Sequence, residues 1–155
     1  MRSVLIACSL IALAAGTPAL AADGAAVFMQ NCLMCHQSAG AGLAGQFPRL
    51  AGRVGAIAAV PKARPYLVQV LSYGMSGNVT VDGQPIMGMM PAFAQIPDAD
   101  VAAVLNYLMT LGKAPRKAPA PFSAEEVQAV RAGQALSATD VHAARATLGI
   151  AKIAP

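Results

Sequence analysis

Large aromatic side chains are scarce in this chain of 155 residues: it has no tryptophan, four phenylalanines and three tyrosines. Such side chains carry much of the buried area of an ordinary core, so a core built from this sequence alone is thin. Cysteine is scarce too, with Cys8, Cys32 and Cys35 only. A disulfide between Cys32 and Cys35 would close a tiny loop and constrain little, which excludes a disulfide-stapled scaffold. Acidic residues are few, seven against eleven Lys and Arg, for a net charge of +4. The basic residues are scattered, apart from a small group at Lys113, Arg116 and Lys117. A nucleic-acid-binding face needs a concentrated basic surface, so nucleic acid is not an expected partner. Beyond Val4 to Ala15 there is no long apolar run, and that one is too short to span a bilayer.

What is present starts with an export signal. Arg2 supplies a positive charge, an apolar run follows, and Ala19-Leu20-Ala21 has the small-x-small form of a cleavage site. Residues 1–22 therefore read as a secretory signal peptide, cleaved after Ala21 or Ala22. The mature chain then starts near Asp23, carries a charge of about +3 once Arg2 is lost, and has no membrane span. Leu5-Ile6-Ala7-Cys8 superficially resembles a lipoprotein box, but almost no apolar region precedes the cysteine and a better cleavage site follows. Export predicts a periplasmic protein, with Cys32 and Cys35 as its only thiols.

Those two thiols belong to Cys32-Leu33-Met34-Cys35-His36. Cys-x-x-Cys-His is the attachment signature of a c-type haem. Two thiols three residues apart reach the two vinyl groups on one porphyrin edge and form thioethers, while the adjacent imidazole addresses the iron. Cys-x-x-Cys alone also occurs in zinc and thiol redox sites. The trailing His36, the export signal and a downstream Met-Pro favour haem, which would also supply the apolar body that the side chains lack.

In chain order, Asp23 is a candidate N-cap for a short helix over 24–31 that points Val27 and Phe28 inward. Residues 37–55, rich in Gly and Ala, read as a loop with Phe47-Pro48-Arg49-Leu50 as its anchor. Pro61 opens a helix that ends at Gly74. Residues 74–91 read as irregular, with a small hairpin around Asp82-Gly83 within 79–86. Val101, Val104, Leu105, Leu108 and Leu111 give the clearest helical periodicity, closed by Gly112. Residues 113–121 hold three prolines and read as a linker. Ser123-x-x-Glu126 and Ser137-x-x-Asp140 each predict a capping box opening a further helix.

A haem iron held by His36 needs a sixth ligand. Thioether sulfur is a soft donor that raises the potential, and Met87, Met89 and Met90 are all at hand. Met90 is favoured because Pro91 fixes the backbone beside it; Met87 and Met89 are the alternatives. The same stretch also suits flexible packing on an apolar ring, or a Cu(I) site. His142, far along the chain, reads as a solvated helix position.

With these motifs in view, the chain resembles a class I cytochrome c over about residues 24–112. Met90-Pro91-Ala92-Phe93 is similar to the family's axial-ligand motif, Gly24 and Phe28 to the contact positions of its N-terminal helix, and Val104 and Tyr107 to the helix that crosses it. Phe47-Pro48-Arg49-Leu50 resembles the loop whose proline carbonyl accepts a hydrogen bond from the proximal imidazole, which gives that role to Pro48. The resemblance implies an all-α cytochrome c fold around one covalently attached haem c. It implies Cys32 and Cys35 as anchors and His36 and Met90 as axial ligands.

The expected organisation is a signal peptide at 1–22, a cytochrome domain at 23–112, a linker at 113–121 and a helical extension at 122–155. That extension resembles the tail of small cytochromes paired with periplasmic dehydrogenases. The expected activity is transfer of single electrons, not catalysis. A periplasmic dehydrogenase would be the donor, and a terminal oxidase or another cytochrome the acceptor. The alternatives are an obligate cytochrome subunit of a dehydrogenase complex and a haem-based ligand sensor.

Overall fold

Asp23 caps the first helix, its carboxylate accepting from the backbone N–H of Ala25 at 2.9 Å and of Ala26 at 3.3 Å. The computed structural model describes residues 22–153. Residues 1–21 of the expected signal peptide, Cys8 among them, lie outside the described residues. The helices are α1 (Gly24–Asn31), α2 (Leu33–His36), α3 (Arg53–Ala58), α4 (Arg64–Tyr73), α5 (Asp98–Thr110), α6 (Ala124–Arg131), α7 (Ala138–Thr147) and α8 (Ile150–Ile153). The strands are β1 (Met75–Val81) and β2 (Gln84–Met90).

α1 and α5 pack against each other closely. A Cβ on Gly24 would sit 2.1 Å from the Ala103 carbonyl oxygen, so only glycine permits this approach. Phe28 and Tyr107 meet at the same crossing, their ring centroids 5.6 Å apart. A pair of this kind adds about 0.5–1.5 kcal/mol beyond area burial. α5 buries Val101, Val104, Leu105 and Leu108, the positions its periodicity selects.

The all-α expectation is overturned by β1 and β2, which form an antiparallel two-stranded sheet, so the fold mixes α and β. The hairpin turns at Asp82 and Gly83, both at positive φ (52° and 75°), the backbone that a tight two-residue turn demands. Val79, Val81 and Ile86 bury one side of its tip in a small apolar cluster. The ladder then runs on past the expected 79–86, through Gly77 opposite Gly88 to Met75 opposite Met90, so most of 74–91 is strand.

The segment after residue 121 packs on the same apolar cluster as the rest. Phe122, Val127, Val141 and Ile150 are buried in one cluster with Phe28, Val68 and Leu105. Ser137 and Asp140 form the expected reciprocal capping box. Ser123 caps α6 by accepting from the Glu126 N–H, but the Glu126 carboxylate turns instead to Arg64, at 2.8 Å. The box there is half formed because a bidentate guanidinium partner wins the carboxylate.

Candidate functional site

α2 follows α1 with hardly a break. The Cys32 N–H still bonds the Phe28 carbonyl at 2.8 Å, and the N–H groups of Cys35 and His36 both bond the Cys32 carbonyl, at 3.2 and 2.9 Å. One helical turn therefore sets the two sulfur-bearing residues at i and i+3, on one side, with His36 next in line. Cys32 is 7% exposed and joins the core, and burial, with Cys35 adding, pushes its thiol up to about 11. No disulfide joins Cys32 to Cys35.

His36 is buried, and its Nδ1 lies 2.9 Å from the Pro48 carbonyl oxygen. A carbonyl only accepts, so Nδ1 carries the proton and donates, and Nε2 keeps its lone pair. Burial pushes the imidazole pKa down, with the Pro48 bond opposing it. The ring is thus held neutral in the tautomer that a metal ligand requires. The Pro48 segment is brought back to His36 by a compact loop, in which Gly42 N–H bonds the His36 carbonyl at 2.8 Å and Leu43 bridges to Phe47.

Cys35, His36, Pro48 and Met90 all line one cavity of about 340 Å³, which Met87 and Met89 also border. Cys32 is not among its lining residues; it lies in the core instead. The sequence reading missed Met75, which also lines the cavity and whose Sδ accepts from the Tyr66 hydroxyl at 3.3 Å. The place of Met75 follows from its pairing with Met90 across the ladder, a long-range fact with no local signal. His142 lies on a helix and is partly exposed, but it is not free of the fold: its ring lies on Gly77 and its Nε2 is 2.8 Å from the Asn78 carbonyl, outside the cavity lining. Among the described residues no cluster of three or more His, Cys, Asp and Glu stands ready for a metal ion.

The cytochrome c family model matches residues 21–112. The chain belongs to the cytochrome c family. It is similar to cytochrome c-552 of Thermus thermophilus, 44% identical over 131 residues, which cover 83% of this chain and 98% of that one. A second Thermus thermophilus cytochrome c-552 is also 44% identical, with 87% of its length covered. Eighty-three per cent of 155 residues is about 129, more than the 92 from 21 to 112, so the likeness extends beyond the family's domain. The cytochrome c subunit of alcohol dehydrogenase (quinone) from Gluconobacter oxydans is 33% identical over 70% of this chain, which spans 22% of that subunit.

Family membership makes covalently bound haem c the cofactor and the protein a haem-based electron carrier, not an enzyme. The residues present fit that group. The cavity offers Cys35 at its wall, a neutral imidazole with a free lone pair, and thioether sulfurs in a mostly apolar lining. Among the described residues, no helix is long and apolar enough to cross a membrane.

Proposed function

We propose that the protein is a periplasmic carrier of single electrons whose haem is anchored by Cys32 and Cys35 and ligated by His36 and Met90. When bound, the haem supplies an iron that gains and loses one electron. The observation that carries this reading is the cavity that gathers Cys35, His36 and Met90 from positions more than fifty residues apart. The Pro48 carbonyl fixes the His36 tautomer and raises the basicity of Nε2.

Strand parity favours Met90 over its neighbours. Side chains alternate along a strand, so Met90 shares a face with Ile86, which is 6% exposed, and packs on the main core. Met87 and Met89 share the opposite face and are 76% and 73% exposed. With His36 and Met90 both holding the iron, oxygen would have no ready place to bind, which disfavours a ligand sensor.

Residues 23–112 form the haem-holding domain in this reading, and 122–155 a stabilising or docking extension. Met34, between the two thiols, is 88% exposed and would offer an apolar side chain near the haem edge, which suits a small, short-lived encounter with redox partners. A periplasmic dehydrogenase is the proposed donor, and a terminal oxidase or second cytochrome the acceptor. The likeness to a dehydrogenase's cytochrome subunit supports a second reading, as a fixed subunit of such a complex.

The test is a set of spectra on holoprotein. Met90→Ala should erase the weak sulfur-to-iron band of the oxidised protein, lower the potential and admit carbon monoxide, while Met87→Ala and Met89→Ala leave the band. If Met87→Ala alone removes it, Met87 is the ligand.

A further inference from the structure

We propose that His142 and Arg145 of α7 are positioning residues for the sixth haem ligand. They seal the open edge of β1 and so hold the Met90 strand in place. This rests on the assignment of Met90 above.

A two-stranded sheet is marginal on its own, and each of its outer edges leaves backbone groups without ladder partners. α7 covers the β1 edge with two side chains. His142 Nε2 lies 2.8 Å from the Asn78 carbonyl, and Arg145 Nη2 donates to the Thr80 carbonyl at 3.3 Å. The spacings match. Carbonyls at i and i+2 of a strand face the same edge, and side chains at i and i+3 of a helix share one face. The carbonyl only accepts, so His142 Nε2 is the donor.

Gly77 makes the contact possible. A Cβ there would lie 2.7 Å from the His142 ring, so the imidazole rests directly on the strand backbone. Gly77 pairs with Gly88, two residues before Met90 on β2, and Met75 pairs with Met90 itself. The cavity-lining residues of β1 are Met75, Gly77 and Val79. α7 therefore bears on the strand that separates it from the ligand strand. Arg145 also lies against the Tyr66 hydroxyl, which donates to the Met75 sulfur. That link keeps a second thioether engaged beside the one proposed to ligate.

Holoproteins carrying His142→Ala, His142→Gln, Arg145→Leu and Met90→Ala decide the matter, each read at a temperature where circular dichroism shows it folded. Loss of one such hydrogen bond should weaken the sulfur-to-iron band, lower the potential and raise carbon monoxide affinity up to about tenfold. His142→Gln, whose amide can still donate to Asn78, should restore all three. Arg145→Leu leaves the ring on Gly77 and serves if His142→Ala does not fold. A fall in melting temperature with band, potential and carbon monoxide affinity all unchanged would overturn the proposal, leaving these residues as plain packing. Failure of the Gln variant to restore would overturn it too. If Met90→Ala itself keeps the band, the ligand assignment fails and this inference falls with it.

Discussion

The side chain of Asn106 pairs with both backbone groups of Phe122: its Nδ2 donates to the Phe122 carbonyl at 2.9 Å, and its Oδ1 accepts from the Phe122 N–H at 2.7 Å. The amide thus acts as a short piece of ladder that stitches the segment after residue 121 onto α5. Arg64 covers the Phe122 ring at 4.0 Å from its centroid and bonds the Ala120 carbonyl. Asn106→Ala removes two hydrogen bonds and strands two part-buried backbone groups, an expected cost of about 2–3 kcal/mol. Urea denaturation of the holoprotein measures it. A cost below about 0.5 kcal/mol, the size of a neutral surface change, would mean that the stitch is not needed.

Removal of everything after Gly112 is the larger version of that experiment. It strips away Phe122, Val127, Val141 and Ile150, all buried against the main core. Each such burial contributes about 1.5–3 kcal/mol before the entropy of ordering the tail is subtracted. The truncated holoprotein should melt on the order of 10 °C or more lower, with no partner in the sample. A pure docking tail predicts the opposite pattern: unchanged melting and spectrum, and slower reduction by the donor.

The parts legible in the sequence were those with local signals. The Cys-x-x-Cys-His turn, the Asp23 cap and the 3.6-residue period of α5 each announce themselves within a dozen residues. The hairpin showed only its tip, where Asp82-Gly83 and the alternation of Val79 and Val81 speak for strands. Its outer half is built from Met75, Gly77, Gly88 and Met90, residues with little strand propensity that pair because the backbone ladder continues. The start of α3 has no local signal, because Gly52 opens it in the left-handed region with no capping side chain. The Pro48 contact of the site came through as a family pattern. Met75 and the seat of His142 did not, since both depend on pairings that exist only after folding.

Covalent attachment is the simplest prediction to check. Denatured holoprotein run on a gel and stained for haem should keep the stain on the polypeptide. Cys32→Ala and Cys35→Ala should each leave one thioether and mature poorly, and His36→Ala should give no stable holoprotein. Haem that leaves the denatured chain while both thiols remain free would sink the attachment through Cys32 and Cys35.

Asp82 gives a pH prediction with a definite sign. Its carboxylate accepts from Arg49 at both oxygens, 2.8 Å to Nε and 2.7 Å to Nη2, which ties the hairpin turn to the segment beside Pro48. The hydrogen bond from Arg49 holds the Asp82 pKa below its ordinary 3.8, with burial opposing it and the charges of Arg49 and Arg53 adding to it. A folded-state pKa below the unfolded one means that the native state favours the charged form. The stabilisation is therefore full above 3.8 and fades as pH falls through the lower, folded value. Because the Asp82 side chain is 40% exposed and that of Arg49 34%, water screens the pair, and its contribution is at most about 1 kcal/mol. Asp82→Asn keeps a residue tolerant of positive φ at the turn, removes the charge and leaves one oxygen to accept from Arg49. The variant should be less stable than the parent by that amount at neutral pH, and the gap should close as pH falls through the lowered, folded-state value of Asp82. Added salt should narrow the neutral-pH gap. Equal stability at neutral pH would reduce the ion pair to geometry without energy, and a gap that widens in acid would reverse the sign of the linkage.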